Sequence, residues 1–206
     1  MLAEWMSKGG WVMWPLLACS VAGVSVTLER VWAVWSYRQT RRQETGLWRH
    51  ILELLEQGNR AEALEAARGG RSSLLRIALA GMEAPETMVE ESLEVAAQKE
   101  IDALRRRLGV LDTVITAAPL LGILGTVTGI ISTFEEMSAQ ASGNPSAVSA
   151  GIAEALITTA TGLVIALLTL LPYNLFAAYV QRETAYLTEA VHRFRGARLP
   201  ATLGRA

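Results

Sequence analysis

Residues 113–134 read TVITAAPLLGILGTVTGIISTF, bounded by Asp112 on one side and Glu135-Glu136 on the other. No charge interrupts the run. A helix rises about 1.5 Å per residue and a bilayer core is about 30 Å thick, so a run of this length predicts a membrane-spanning helix. Pro119 and the glycines do not argue against it, because neighbouring helices can satisfy the freed backbone groups. Two other runs share this character. Residues 9–28 carry no charge until Glu29-Arg30, with Trp5, Trp11 and Trp14 near one end and Trp32, Trp35 and Tyr37 beyond the other. Paired aromatic belts mark the two interfaces of a spanning helix. Lys8 suggests a signal peptide, and Leu16-Leu17-Ala18-Cys19 a lipobox. The apolar run continues past Cys19 to Leu28, which favours a retained anchor. The third run lies between Met137 and Gln181 and is broken only by Glu154, with Asn144-Pro145 as an expected helix start.

Composition agrees with a mixed chain. Hydrophobic residues make up 51% and charged residues 19%, with a mean hydropathy of +0.27. That is too apolar for an ordinary soluble domain and too charged for a chain held wholly in lipid. Lys and Arg are distributed unevenly: Lys8 precedes the first run, thirteen lie between Glu29 and Asp112, none separates the second and third runs, and five follow Gln181. The positive-inside rule then places the middle segment and the C-terminus in the cytoplasm. The expected organisation is an all-α integral membrane protein with three transmembrane helices and long cytoplasmic helical extensions. Its segments are a periplasmic N-terminus (1–8), transmembrane helix 1 (9–28), a cytoplasmic helical domain (29–112), transmembrane helix 2 (113–134), a periplasmic loop (135–150), transmembrane helix 3 (151–175) and a cytoplasmic C-terminal helix and tail (176–206).

The cytoplasmic part reads as helical throughout. Leu47, Ile51, Leu54 and Leu55 recur at helical spacing, Gly58-Asn59 breaks that helix, Arg60 to Arg68 forms a short one, and Gly69-Gly70 precedes another over Leu74 to Met82. Thr87-Met88-Val89-Glu90 reads as a capping box whose helix runs through Arg105-Arg106-Arg107 directly into the second span. The arginine triplet suits an anchor for lipid headgroups. No nucleotide-binding glycine loop, metal cluster or nucleophile–base pair appears, so no enzyme, metal or cofactor is expected. Cys19 stands alone, His50 and His192 lie in no motif, and a net charge of −1 does not argue for a nucleic-acid partner.

The polar residues within the spans carry the functional expectation. Gly122, Gly125 and Gly129 share one helix face, and a matching stripe of Gly151, Ala155, Thr159, Gly162, Ala166 and Thr169 runs down the third span. Small residues let helices approach closely in lipid, so the glycines, Gly162 included, read first as packing. Glu154, Thr158 and Thr161 are spaced four and three apart on one sector. A charge deep in a bilayer costs roughly 2.5 kcal/mol or more, so Glu154 needs water, a partner or a place at the interface. Counted from their periplasmic ends, Thr126 and Thr159 fall at similar depth in an antiparallel pair.

Three stretches together resemble the MotA/TolQ/ExbB proton-channel family, in its ExbB/TolQ branch. The weakest is Pro15-Leu16-Leu17 with Glu29-Arg30. The specific ones are Ala118-Pro119-Leu120-Leu121-Gly122-Ile123-Leu124-Gly125-Thr126-Val127-Thr128-Gly129 and Gly151-Ile152-Ala153-Glu154-Ala155-Leu156-Ile157-Thr158-Thr159-Ala160-Thr161-Gly162-Leu163, followed by Pro172-Tyr173-Asn174. The resemblance implies a homopentameric ring in a bacterial inner membrane around a dimer of a single-span partner like ExbD or TolR. It implies force passed to a TonB- or TolA-like periplasmic transducer. It maps pore threonines onto Thr126 and Thr159 and the third-helix glutamate onto Glu154; the spacing with Glu154 adds Thr158 and Thr161 as further pore-lining candidates. An ExbB-type role is expected first, a TolQ-type role next. A non-conducting membrane scaffold is the alternative from another class.

Overall fold

The computed structural model describes residues 10–139 and 145–198, except the side chains of Glu136, Ala139, 145–148, Ala150, Glu154 and Arg198. Six α-helices cover nearly all of this: α1 Met13–Glu56, α2 Arg60–Arg68, α3 Ser73–Glu83, α4 Val89–Arg105, α5 Leu108–Ala139 and α6 Pro145–Arg198, with a 3₁₀ turn at Glu86–Met88 before α4. Among the described residues there is no strand. Trp5 and Lys8 of the 1–8 segment, Asn144 of the loop, and the tail from residue 199 lie outside the described residues. Three helical stretches, Met13–Glu56, Glu86–Glu135 and Gly151–Ala197, are each long and apolar enough to cross a membrane.

The chain divides into two compact units. The first comprises Met1–Arg30 and Arg107–Phe176. Its outward surface is apolar: Leu175 is 73% exposed, Leu168 68% and Leu120 66%. Water would not tolerate such a surface on a monomer, and lipid tails would. The start of α1, with Val12 just before it, packs through Val12, Met13 and Leu16 on Ala118, with Leu121 and Ile165 partly buried alongside. Farther along, Gly23 lets α1 approach so closely that a methyl group there would lie 3.0 Å from Thr169 Oγ1 and 3.6 Å from Val114.

The second unit, Val31–Arg106 with Ala177–Ala206, is built like a water-soluble helical domain. Apolar residues at helical spacing meet in one core: Trp48, Ile51, Leu54 and Leu55 from α1; Leu74, Leu75, Ile77 and Met82 from α3; Val89, Leu93, Ala97 and Ile101 from α4; Leu187, Val191 and Phe194 from α6. Trp48 stacks on Phe194 at 6.5 Å between ring centroids. Gly58, at φ +80, closes α1 in a conformation that an L side chain rarely adopts. Polar ties staple the helices. The Glu44 carboxylate accepts the backbone N–H groups of Arg71 and Ser72 at the start of α3. Glu100 accepts from Ser73 at 2.6 Å and from Arg76 Nε at 2.7 Å. Arg41 ion-pairs with the buried Glu183 and lies 3.7 Å over the Tyr186 ring.

Two expectations are corrected. The helix before the second span does not run on into it. α4 ends at Arg105, Arg106 is extended (φ −51, ψ 136), and Arg107 is left-handed at φ 68 before α5 begins. A left-handed L residue costs roughly 1–2 kcal/mol. Two interactions offset it: the arginines end α4 at its negative pole, where cations are favoured, and Arg107 ion-pairs with Glu29. The Glu29 carboxyl is held below its usual value by the Arg30 hydrogen bond first and, against desolvation, by Arg107. The second correction concerns Thr87. α4 enters through the 3₁₀ turn with Met88 at the cap position and no side-chain capping bond.

Glu100 generates a prediction for this unit. Burial pushes its carboxyl up, but hydrogen bonds from Arg76 and Ser73 outweigh that and hold it below the ordinary 4.5. A depressed carboxylate contributes stability that is present above the unfolded value and lost as pH falls through the folded one. Thermal melts of the detergent-solubilised protein should therefore be flat near neutrality and fall below pH 4.5. Glu100→Gln should lower stability by about 1 kcal/mol at pH 7 and shrink the acid dependence.

Candidate functional site

The candidate site is built where α5 and α6 run antiparallel, and its register is fixed by residues without side chains. A methyl group on Gly162 would strike the Ala118 carbonyl and come within 3.2 Å of Gly122 Cα. One on Gly122 would lie 3.0 Å from Thr159 Cα and 3.1 Å from the Thr158 carbonyl oxygen. Gly125 lies against the Thr158 side chain, a methyl group on Gly129 would lie 3.1 Å from Ala155 Cβ, and Gly151 faces Thr133. Numbers rise on one helix as they fall on the other. Thr159 Oγ1 donates to the Gly122 carbonyl at 2.9 Å, and Thr158 Oγ1 donates to Ala155 at 2.7 Å with Gly122 3.4 Å away. Hydroxyls that bond across a helix pair in lipid gain more from packing than from the bond itself, which averages about 0.6 kcal/mol.

The structure separates the five polar residues singled out from sequence. Thr126 and Thr159 are half-buried and lie at one level, each adjoining the Gly125–Thr158 contact. Among the described residues the Thr126 hydroxyl bonds only within its own helix, to Ile123 at 2.6 Å. Leu121 and Ile165 mark the flank that packs against α1. At about 100° per residue, Thr126 stands roughly 140° from Leu121, and Thr159 roughly 120° from Ile165. Both therefore lie on the flank of the pair that α1 leaves uncovered. Thr158, 1% exposed, is enclosed in the helix contact. Thr161 is half-buried and bonds back to Ile157 at 2.8 Å. The side chain of Glu154 lies outside the described residues. Its backbone is in α6, one residue before the Ala155–Gly129 contact and one turn from Thr158.

Three further features escaped the sequence reading. Gly23 against Thr169 and Gly151 against Thr133 extend the interlock beyond the glycines named as packing residues. A lone glycine in an apolar run gives no signal, whereas Gly151 and Thr169 already stood on the small-residue stripe. Arg41 and Glu183 are 142 residues apart, and no local pattern announces that pair. Among the described residues no group of His, Cys, Asp and Glu has the geometry to hold a metal ion.

Comparison with known proteins finds a match over residues 69–189 to the family described as the MotA/TolQ/ExbB proton channel family. Two relatives in Synechocystis sp. are a biopolymer transport protein ExbB-like 1, 35% identical over 87% of this chain and 72% of its own length, and an ExbB-like 3, 34% identical over 88% and 87%. The Tol-Pal system protein TolQ of Haemophilus influenzae is 34% identical over 51% of this chain and 47% of its own length.

The interlock is testable through its glycines. Gly122→Leu or Gly125→Leu should destabilise the protein by about 1–3 kcal/mol, as overpacking does, because the facing atoms are backbone or a buried threonine. Gly109→Ala meets nothing within 4 Å and should be neutral or slightly stabilising. Thermal unfolding in detergent of the three variants beside wild type reads the difference.

Proposed function

The chain belongs to the MotA/TolQ/ExbB proton channel family, and from that premise we propose that it is the ring-forming subunit of an ExbB-type proton-driven transducer in a bacterial inner membrane. Five copies would surround a dimer of an ExbD- or TolR-like single-span partner. The proton gradient would be converted to force on a TonB- or TolA-like periplasmic protein. The observation that carries this reading is the placement of Thr126 and Thr159 at one level on the flank that α1 leaves uncovered. In a ring of such subunits that flank is available to line a central path.

The chemistry follows from what the chain supplies. Hydroxyls donate and accept, so threonines can solvate a moving proton or a titrating carboxylate without carrying charge themselves. Thr126 is the freer of the two, since its hydroxyl is not needed for helix contact. Glu154 is the titratable group of the third span, and its cost in lipid motivates a role in the proton path or its gate. The proton-carrying acid on the moving component would come from the partner, so the ring alone should conduct little. The concentration of Lys and Arg in 29–112 and after Gln181 supports a cytoplasmic placement of those segments, with the N-terminus and the 135–150 loop periplasmic. The similarity to TolQ keeps a Tol-Pal role as the second reading. The identity of the partner that co-purifies separates the two.

The test is proton flux into liposomes holding this chain with its partner, under an imposed gradient. Wild type should conduct, and Thr126→Val and Glu154→Gln should each reduce flux at least tenfold while the complex still purifies intact. Unchanged flux in both variants would remove these residues from the path. An intact complex that conducts in no form would favour the scaffold reading.

A further inference from the structure

The α1-facing side of the membrane unit holds a polar cleft distinct from the Thr126–Thr159 flank. Gly10, Trp11 and Val12, just before α1, enclose a cavity of about 250 Å³ with Gly125, Thr128, Gly129 and Ser132 of α5. The glycines leave the space and the other two α5 residues bring hydroxyls into it. Thr128 donates to Leu124 at 3.0 Å, which leaves its oxygen able to accept, and the exposed Ser132 offers a donor and an acceptor. The backbone adds donors. Gly10 turns the chain at φ 62, and among the described residues the N–H groups of Gly10, Trp11 and Val12 meet no backbone acceptor, though Val12 is only 1% exposed. Lipid tails cannot satisfy such groups, and each costs several kcal/mol if left bare.

We propose that this cleft is a water-filled inlet that reaches from the Glu135 end of α5 into the membrane unit. The proposal rests on the reading that this unit spans a membrane. Water is the occupant that matches the lining, because one molecule takes about 30 Å³ and needs two to four polar partners. The opening is short of charge but close to it, with Ser132 one turn from Glu135. From Ser132 to Gly125 the cleft descends about 10 Å, roughly a third of a bilayer core. Gly129, midway along it, packs on Ala155, so the cleft reaches the depth of the Glu154 backbone within α6. Water at that depth gives a carboxylate-bearing helix a hydrated level inside the membrane and a route for protons through the body of the subunit, separate from the centre of a ring.

Cysteine accessibility tests this without reference to transport. In the complex with its partner, on a Cys19→Ala background, Thr128→Cys and Ser132→Cys are exposed to a membrane-impermeant cationic thiosulfonate added to spheroplasts. Val127→Cys, outward-facing at the same depth, is the control. Thr128→Cys and Ser132→Cys should react at least tenfold faster than Val127→Cys, and Ser132→Phe at the mouth should slow labelling of Thr128→Cys at least tenfold. Slow reaction at all three positions, equal reaction at Val127→Cys, or no effect of Ser132→Phe overturns the inlet. Labelling as expected in a complex that conducts no protons leaves the inlet standing and defeats only the channel reading.

Discussion

Gly122 has no side chain, and its carbonyl is the place where the third span arrives. Thr159 donates to it, Thr158 lies 3.4 Å from it, and Gly162 comes within van der Waals reach of its Cα. In lipid there is no hydrophobic force between helices, so this close backbone approach and its dispersion contacts set the register. Everything else in the membrane unit follows from that register. It brings Thr126 level with Thr159, encloses Thr158, and sets Ala155 on Gly129, which fixes the depth of the Glu154 backbone in α6. A bulky residue at Gly122 would alter all of these at once.

The fold was legible where periodicity and charge speak directly. Three apolar runs and the uneven arginines were enough to expect spans and extensions, because bilayer thickness and backbone satisfaction leave few alternatives. The short helix at Arg60–Arg68 was visible from the glycines that flank it. The break at Arg106–Arg107 was not, since neither glycine nor proline marks it. An ion pair with Glu29 supports a backbone conformation that local propensity disfavours. Within the site, spacing alone grouped Glu154 with Thr158 and Thr161 and set Thr126 level with Thr159. It could not say which flank α1 covers. That depends on Leu16 meeting Ala118 and Gly23 meeting Thr169 across the chain, which is a tertiary fact.

The two units use opposite physics. One exposes leucines and encloses Thr158 and Gly122 between its helices, while the other buries Phe194, Ile51 and Leu93 and carries ion pairs such as Arg76–Glu100 and Arg195–Glu94 at its surface. Glu183 is the exception in the second unit, a buried carboxylate tied to Arg41 and packed near Tyr179 and Tyr186. A lone buried charge is costly, and a paired one stabilises little more than an apolar pair would. Such a pair is better understood as fixing how α1 and α6 meet within that unit than as a source of stability.

The central claim is that the flank bearing Thr126 and Thr159 faces a partner helix inside a ring. The most direct measurement is an electron cryomicroscopy structure of the complex purified with its single-span partner in lipid nanodiscs. The account predicts several copies of this chain around the partner, with Thr126 and Thr159 of every copy turned to the central helix and α1 outermost. A complex in which that flank faces lipid, or in which α1 lies between the threonines and the partner, would contradict it.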